Sequence, residues 1–199
     1  MVEAKLIVEG GGQSKELRTR CREAFSELMR RAGFGGRMPR IIASGSRDDA
    51  RDEFENYLKV GQGSFLLVDS EAPVAVGAKP WAHLKARDNW KRPVGAKDDH
   101  CHLMVQCMET WFLADVHALE TFYGQGFAPN ALPHTANIEV VSTKAVLDAL
   151  ERATRGTKTK GEYGKSAHSF KILHEIDPSK LRKASEWADR FFATLDRLL

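Results

Sequence analysis

The sequence predicts an α/β protein with a mainly parallel sheet flanked by helices, continued by a helical C-terminal extension. Three observations predict it. Short apolar stretches alternate with amphipathic segments of helical period in the order strand, helix, strand, helix, strand, a pattern that builds a parallel sheet with right-handed crossovers. The chain has 199 residues, 42% apolar and 29% charged, enough for one large domain or a domain with a sizeable extension and too apolar for wholesale disorder. Beyond about residue 115, helical periodicity predominates.

Each element has a local reason. Residues 5–8 are a run that reads as a buried strand. Ser14 reads as an N-cap with Glu16 in the first turn, and Leu17, Cys21, Phe25, Leu28 and Ala32 recur at helical spacing until Gly33. Pro39 opens a short strand over residues 40–43. Residues 48–58 form a polar helix with Ala50, Phe54, Tyr57 and Leu58 inward, and residues 64–68 form the third strand. Residues 102–108 read as a fourth strand, and 109–114 begin a helix. Helices follow over 142–153, around 168–174, and from Ser185, where Trp187, Phe191, Leu195 and Leu198 share a face. Residues 124–133 are the expected long loop. This divides the chain into a core, 1–115, with an insert at 72–98, and a mostly helical part, 116–199, which is either a subdomain or a further layer of the same domain.

Bulk properties narrow the setting. No apolar run is long enough to span a bilayer, and the first five residues run into a strand without a signal-peptide pattern. Cys21, Cys101 and Cys107 are odd in number and lack framework spacing, which points to a reducing, cytoplasmic setting. A net charge of +3 means that affinity for nucleic acid needs a local patch rather than a global field.

The chemistry concentrates at two strand ends. The first strand ends in Glu9, followed by Gly10, Gly11 and Gly12; the third runs into Asp69-Ser70-Glu71. Parallel strands side by side place these three carboxylates at one sheet edge, where α/β folds bind ligands. Carboxylates gathered there repel unless a cation lies among them, and Mg²⁺ or Mn²⁺ suits oxygen donors. Strand alternation points Asp69 and Glu71 to one side and Ser70 away. The glycines lack the Gly-Lys-Ser/Thr ending of a Walker loop, and Lys15 stands where a Rossmann fingerprint needs its third glycine. They read either as a flexible turn or as a place where phosphate approaches the backbone ahead of a helix N-terminus.

Glu9 before glycine on the first strand, with an acidic pair after the third, resembles the Toprim domain of topoisomerases, primases, small ribonucleases and OLD-type nucleases. The second member of that pair is normally aspartate; here it is Glu71, with a longer arm. Over nearly the whole chain, the strings Val8-Glu9-Gly10-Gly11-Gly12, Leu67-Val68-Asp69-Ser70-Glu71 and residues 102–115 resemble a bacterial Toprim-like family named domain of unknown function 4276. The resemblance implies a Rossmann-like Toprim fold, Mg²⁺ or Mn²⁺ at Glu9, Asp69 and Glu71, and metal-dependent phosphoryl transfer, most plausibly cleavage of DNA or RNA. Glu9 is alternatively a general acid–base. By analogy with OLD-type nucleases it adds Glu109 and Lys165 to the site. It also implies a phage-defence context with an ATPase partner. Two other functions stay open: a non-catalytic binding or sensor subunit, and a small-molecule phosphohydrolase. A homodimer is compatible with all three.

Other residues carry two readings each. Glu109 reads equally as an acid favoured by a helix N-terminus, and Lys165 as a solvated lysine. His168 reads as a phosphate contact or an ordinary helix-start histidine. The insert carries Lys85, Arg87, Lys91 and Arg92 with Trp81 and Trp90 among them. It reads as a nucleic-acid groove with stacking tryptophans, or as a surface loop anchored by tryptophans on the core. His100, Cys101, His102 and Cys107 crowd one stretch but lack a Cys-x-x-Cys partner, which disfavours zinc.

Overall fold

The computed structural model describes residues 4–199; Met1, Val2 and Glu3, and with them the start of the reading for the first five residues, lie outside the described residues. Strands β1 (Lys5–Gly11), β2 (Arg40–Gly45), β3 (Ser64–Asp69) and β4 (Cys101–Met104) form one all-parallel sheet in the order β2-β1-β3-β4. The central strands β1 and β3 are apolar on both faces because both faces are covered, as parallel sheets require. The architecture is the predicted Rossmann-like α/β fold.

Helices α1 (Lys15–Met29) and α2 (Arg47–Lys59) are the two crossovers between the first three strands. The Ser14 side chain caps α1 by accepting from the Leu17 N–H, and Ser46 and Asp49 form a reciprocal capping box on α2. Leu6, Val8, Phe65 and Leu67 face α1; Ile7, Leu66, Val68 and Leu103 face Ala50 and Phe54 of α2.

The insert is more ordered than a plain surface loop. It contains a helix, α3 (Pro80–Asp88), started by Pro80 in its first turn and ended by Asn89 in the left-handed conformation. Trp81 and Trp90 are buried in the cluster beneath α2 and α3, so neither ring is open to stack on a base. The Trp81 Nε1 donates to the Lys97 carbonyl at 3.0 Å, and the guanidinium groups of Arg47 and Arg51 cover the Trp90 ring. The anchored-loop reading therefore describes the tryptophans.

The fourth strand is shorter than the expected 102–108. After Met104 the chain leaves the ladder: the Gln106 carbonyl accepts from the Glu71 N–H, and a 3-10 helix spans Met108–Ala114. The expected helix at 109–114 is this tighter turn. Asp115 then caps α4 (Val116–Tyr123). Helices α5 (Thr143–Thr154), α6 (Lys165–Glu175), α7 (Pro178–Ala184) and α8 (Glu186–Leu198) complete the chain. Residues of α4 to α8 share one continuous apolar cluster with α1 and the sheet, centred on Phe25, Trp111, Phe112, Phe191 and Phe192.

Candidate metal centre

The centre forms at the C-terminal edge of β1 and β3. Their backbone pairing ends at Val8 and Leu67. The next donor, the Asp69 N–H, is taken up by the Glu9 carboxylate, whose Oε2 accepts it at 3.0 Å. Asp69 in turn reaches across to the following segment, where its Oδ1 accepts the Met108 N–H at 2.8 Å at the start of the 3-10 helix. Each acid thus uses one oxygen to close a strand or helix end. Glu9 Oε1 and Asp69 Oδ2 have no hydrogen-bond partner among the described residues.

Glu71 arrives by a different route from the one alternation predicts. The strand stops at Asp69, and Glu71 sits in the left-handed region at φ 59° with its N–H bonded to Gln106. This turn, rather than strand pleat, swings its side chain back. One oxygen from each of Glu9, Asp69 and Glu71 lies within 4.8 Å of the others, a set that can hold a metal ion.

The electrostatics are those of crowded buried acids. Burial, with Glu71 nearby, pushes the Glu9 carboxyl up to about 7 against the opposing pull of the Asp69 N–H and Arg47. Burial and the Glu9 charge push Asp69 well above the usual carboxylate range. Two guanidinium groups lie near these acids. Arg47 Nε is 3.7 Å from Glu9 Oε2 while its tip holds Asp88 at 2.9 and 3.0 Å, and Arg87 Nη2 is 3.9 Å from Glu71 Oε2.

Glu109 and Lys165 come together beside this cluster. Glu109 is fully buried, and its Oε1 is approached by Lys165 Nζ at 3.3 Å, the Tyr163 hydroxyl at 3.2 Å and the Ser169 hydroxyl at 3.3 Å. Burial opposes the Lys165 charge, but Glu109 and Asp69 outweigh it and raise its pKa. A cavity of about 250 Å³ opens in front of these groups, lined by Glu9, Asp69 and Lys165, by Gly10, Gly11 and Gly12, by Ser166 and Ser169, and by apolar side chains including Met104, Met108 and Phe170.

The glycines have a packing reason that the sequence did not disclose. A Cβ on Gly10 would lie 2.9 Å from Cys21 Sγ, and one on Gly11 would lie 2.6 Å from the Arg18 backbone nitrogen. Two of the three glycines thus let α1 close against the strand end, while Gly12 has open space around it.

Other expected residues lie apart from the cavity. His168 is buried among Phe122, Tyr123 and Tyr163, and its Nδ1 accepts the Gly164 N–H at 3.0 Å. This corrects the phosphate reading: the ring closes the start of α6 and does not line the cavity. Lys85, Lys91 and Arg92 are exposed on or beside α3, and Arg87 pairs with Asp88 next to it in sequence. His102 is buried, accepts from Arg190 Nη1 at 3.1 Å, and is pushed down to about 3 by burial and that arginine. Burial raises the Cys21 thiol to about 12 and the Cys107 thiol to about 11.

Arg47, Tyr163 and Ser169 are neighbours of the centre that sequence reasoning missed. Arg47 opens α2 straight after the second strand, a position that α/β topology brings to the same edge. Tyr163 and Ser169 carry no comparable signal, because only the docking of α6 places them against Glu109. Among the described residues no helix is long and apolar enough to cross a membrane. No curated protein and no solved structure matches the chain. Residues 8–196, which include every member of the centre, match the family described as domain of unknown function DUF4276, and the chain belongs to that family.

Proposed function

We propose that the protein is a metal-dependent phosphoryl-transfer enzyme, a nuclease on DNA or RNA that uses Mg²⁺ or Mn²⁺ held by Glu9, Asp69 and Glu71. One observation carries the reading: three carboxylates from separate points of the chain converge within 4.8 Å beside a cavity that also holds Lys165. The donor set fits a hard divalent ion, because all three ligands are carboxylate oxygens and burial leaves two of them short of compensating charge.

A divalent ion in such a site neutralises phosphate charge and lowers the pKa of bound water. The chain's own groups do the rest. Glu109 holds the Lys165 ammonium at the cavity, where it stabilises negative charge on a phosphoryl oxygen. In the metal-free site burial raises the Glu9 carboxyl to about 7, so an ion bound there displaces a proton and leaves Glu9 as an ionised ligand. The glycine-lined wall keeps bulky side chains away from the approaching phosphate. The Toprim resemblance extends the proposal to phage defence beside an ATPase partner.

A cleavage assay tests it. The full chain is incubated with single- and double-stranded DNA and RNA in Mg²⁺ or Mn²⁺, beside Glu9→Gln and Asp69→Asn. Metal-dependent cleavage lost in both variants is the expected result. Cleavage surviving both variants, or none on any substrate, would overturn it. A second reading rests on Arg47 and Arg87: their guanidinium groups partly neutralise Glu9 and Glu71, as suits a non-catalytic binding subunit. That reading predicts nucleic-acid or ATPase binding unaffected by removal of divalent metal.

A further inference from the structure

The cavity and its surroundings bear on what form of substrate the centre accepts. At about 250 Å³ it is smaller than the ~300–1,000 Å³ of pockets that enclose a drug-sized ligand. Its lining is of two kinds: the charged Glu9, Asp69 and Lys165, and the apolar Leu17, Met108 and Phe170. Asp69 is only 5% exposed, yet its unpartnered Oδ2 belongs to a side chain that lines this space. A phosphate suits the charged groups and a planar base the apolar ones.

Phe170 links the cavity to a second feature. Its ring edge lies against Gly10, and it is half-buried. It also lines an open groove of about 490 Å³ between α1 and α6, whose walls carry Arg20, Lys160 and Lys171. Lys160 and Lys171 make no ion pair among the described residues, although the Lys160 ammonium lies 4.8 Å from the centre of the Phe122 ring, and Arg20 pairs with the exposed Glu16. Two acids of the groove, Glu23 and Glu175, lie further along the same helices than the cavity-lining Leu17 and Ser166. Cations therefore lie on both sides of one aromatic ring: Lys165 within the cavity, and the three groove residues outside it.

We propose that the centre takes one unpaired nucleotide at a time. Its base packs on Phe170 and the adjoining single strand runs into the α1–α6 groove over Arg20, Lys160 and Lys171. The claim rests on the phosphoryl-transfer reading and narrows its substrate to single strands, overhangs and frayed ends. A blunt duplex keeps its bases stacked and paired, and its ends must unpair before a base reaches Phe170, so it binds weakly. Base–aromatic stacking is tolerant of sequence, so little base preference is expected.

Fluorescence anisotropy tests this on the full chain with labelled oligonucleotides: a single strand, a blunt duplex and a duplex with a 3′ or 5′ overhang. Ca²⁺ replaces Mg²⁺ to limit cleavage. The single strand and one overhang should bind about tenfold or more tighter than the blunt duplex. Phe170→Ala should weaken single-strand binding about tenfold and Phe170→Trp should retain it. Phe170→Leu, which keeps apolar bulk, should fold normally and still bind weakly. Lys171→Gln should lower the salt slope of binding by about one. Equal affinity for the blunt duplex, or unchanged binding in Phe170→Ala, Phe170→Leu and Lys171→Gln, would overturn the proposal. Mn²⁺ titration on the same samples separates the two claims. Metal binding without single-strand binding overturns the nucleotide pocket alone. Single-strand binding with these variant effects but no metal binding supports the pocket and overturns the metal reading.

Discussion

Glu9 serves two demands that conflict unless a cation is present. Its Oε2 closes the end of β3, which keeps it in place, and burial makes its charge unfavourable there. The sign follows from its folded pKa, raised from 4.5 to about 7. Between those values the folded protein holds a proton that the unfolded chain releases. Stability in metal-free buffer therefore falls as pH rises through that window, by about 3 kcal/mol for this group once both forms are ionised. Glu9→Gln keeps an acceptor for the Asp69 N–H and removes the charge. Urea unfolding in EDTA should show the variant more stable than wild type at pH 8 and close to it at pH 4.5; an equal difference at both would contradict the account. Glu9 and Asp69 were legible in the sequence because each terminates an apolar strand of a parallel sheet. Glu71 was placed near them for a wrong reason. Alternation ceases at Asp69, and the left-handed turn at Glu71 depends on the Gln106 carbonyl, a contact 35 residues away along the chain that no local pattern encodes.

At the scale of elements, the turn from β1 into α1 shows how two adjacent glycines differ. Gly11 has φ +83°, and its missing Cβ is where the Arg18 backbone lies; Gly12 has φ +49° and open space. Gly11→Ala should cost about 2–4 kcal/mol from strain and overlap together. Gly12→Ala should cost about 1–2 kcal/mol, from conformation alone. Denaturant midpoints of the two variants would check this, and similar losses would contradict it. The junction of β4 with α8 is held by Arg190, which donates to the Cys101 and Asp98 carbonyls at 3.0 and 2.6 Å and to His102. Arg190→Ala should destabilise by about 2–4 kcal/mol, because these acceptors lose a charged donor. A loss under 1 kcal/mol would show that water replaces it. The crossover helices were readable from caps and apolar spacing. The short β4 was not, since residues 105–108 are as apolar as a strand but turn to present the Met108 N–H to Asp69. The helix α3 was hidden by its charges, although Pro80 at its start is a helix signal.

At the scale of the molecule, the C-terminal helices complete the core and the centre together. Phe25 and Leu28 of α1 share their apolar cluster with Trp111, Ile172 of α6 and Phe191 and Phe192 of α8. Glu109 meets Lys165, Tyr163 and Ser169 only because α6 docks on α1. A chain ended at Asp115 would keep α1 on the sheet but leave the side of α1 that meets α6, and β4 where it meets α8, without their apolar partners. It should lack a cooperative thermal transition, whereas a sharp transition would show that residues 1–115 form an independent domain. Composition and helical period made these elements visible along the chain, but the faces that meet are set by packing between residues over 50 positions apart. The central claim is that Glu9, Asp69 and Glu71 form one divalent-metal centre. Isothermal titration of Mn²⁺ into the full chain at pH 7, in two buffers of different ionisation enthalpy, tests it most directly. The account predicts one saturable site whose apparent enthalpy differs between buffers, because binding displaces a proton from the buried carboxylates, and whose heat is lost in Asp69→Asn. An absence of saturable heat, or an unchanged isotherm in Asp69→Asn, would contradict it.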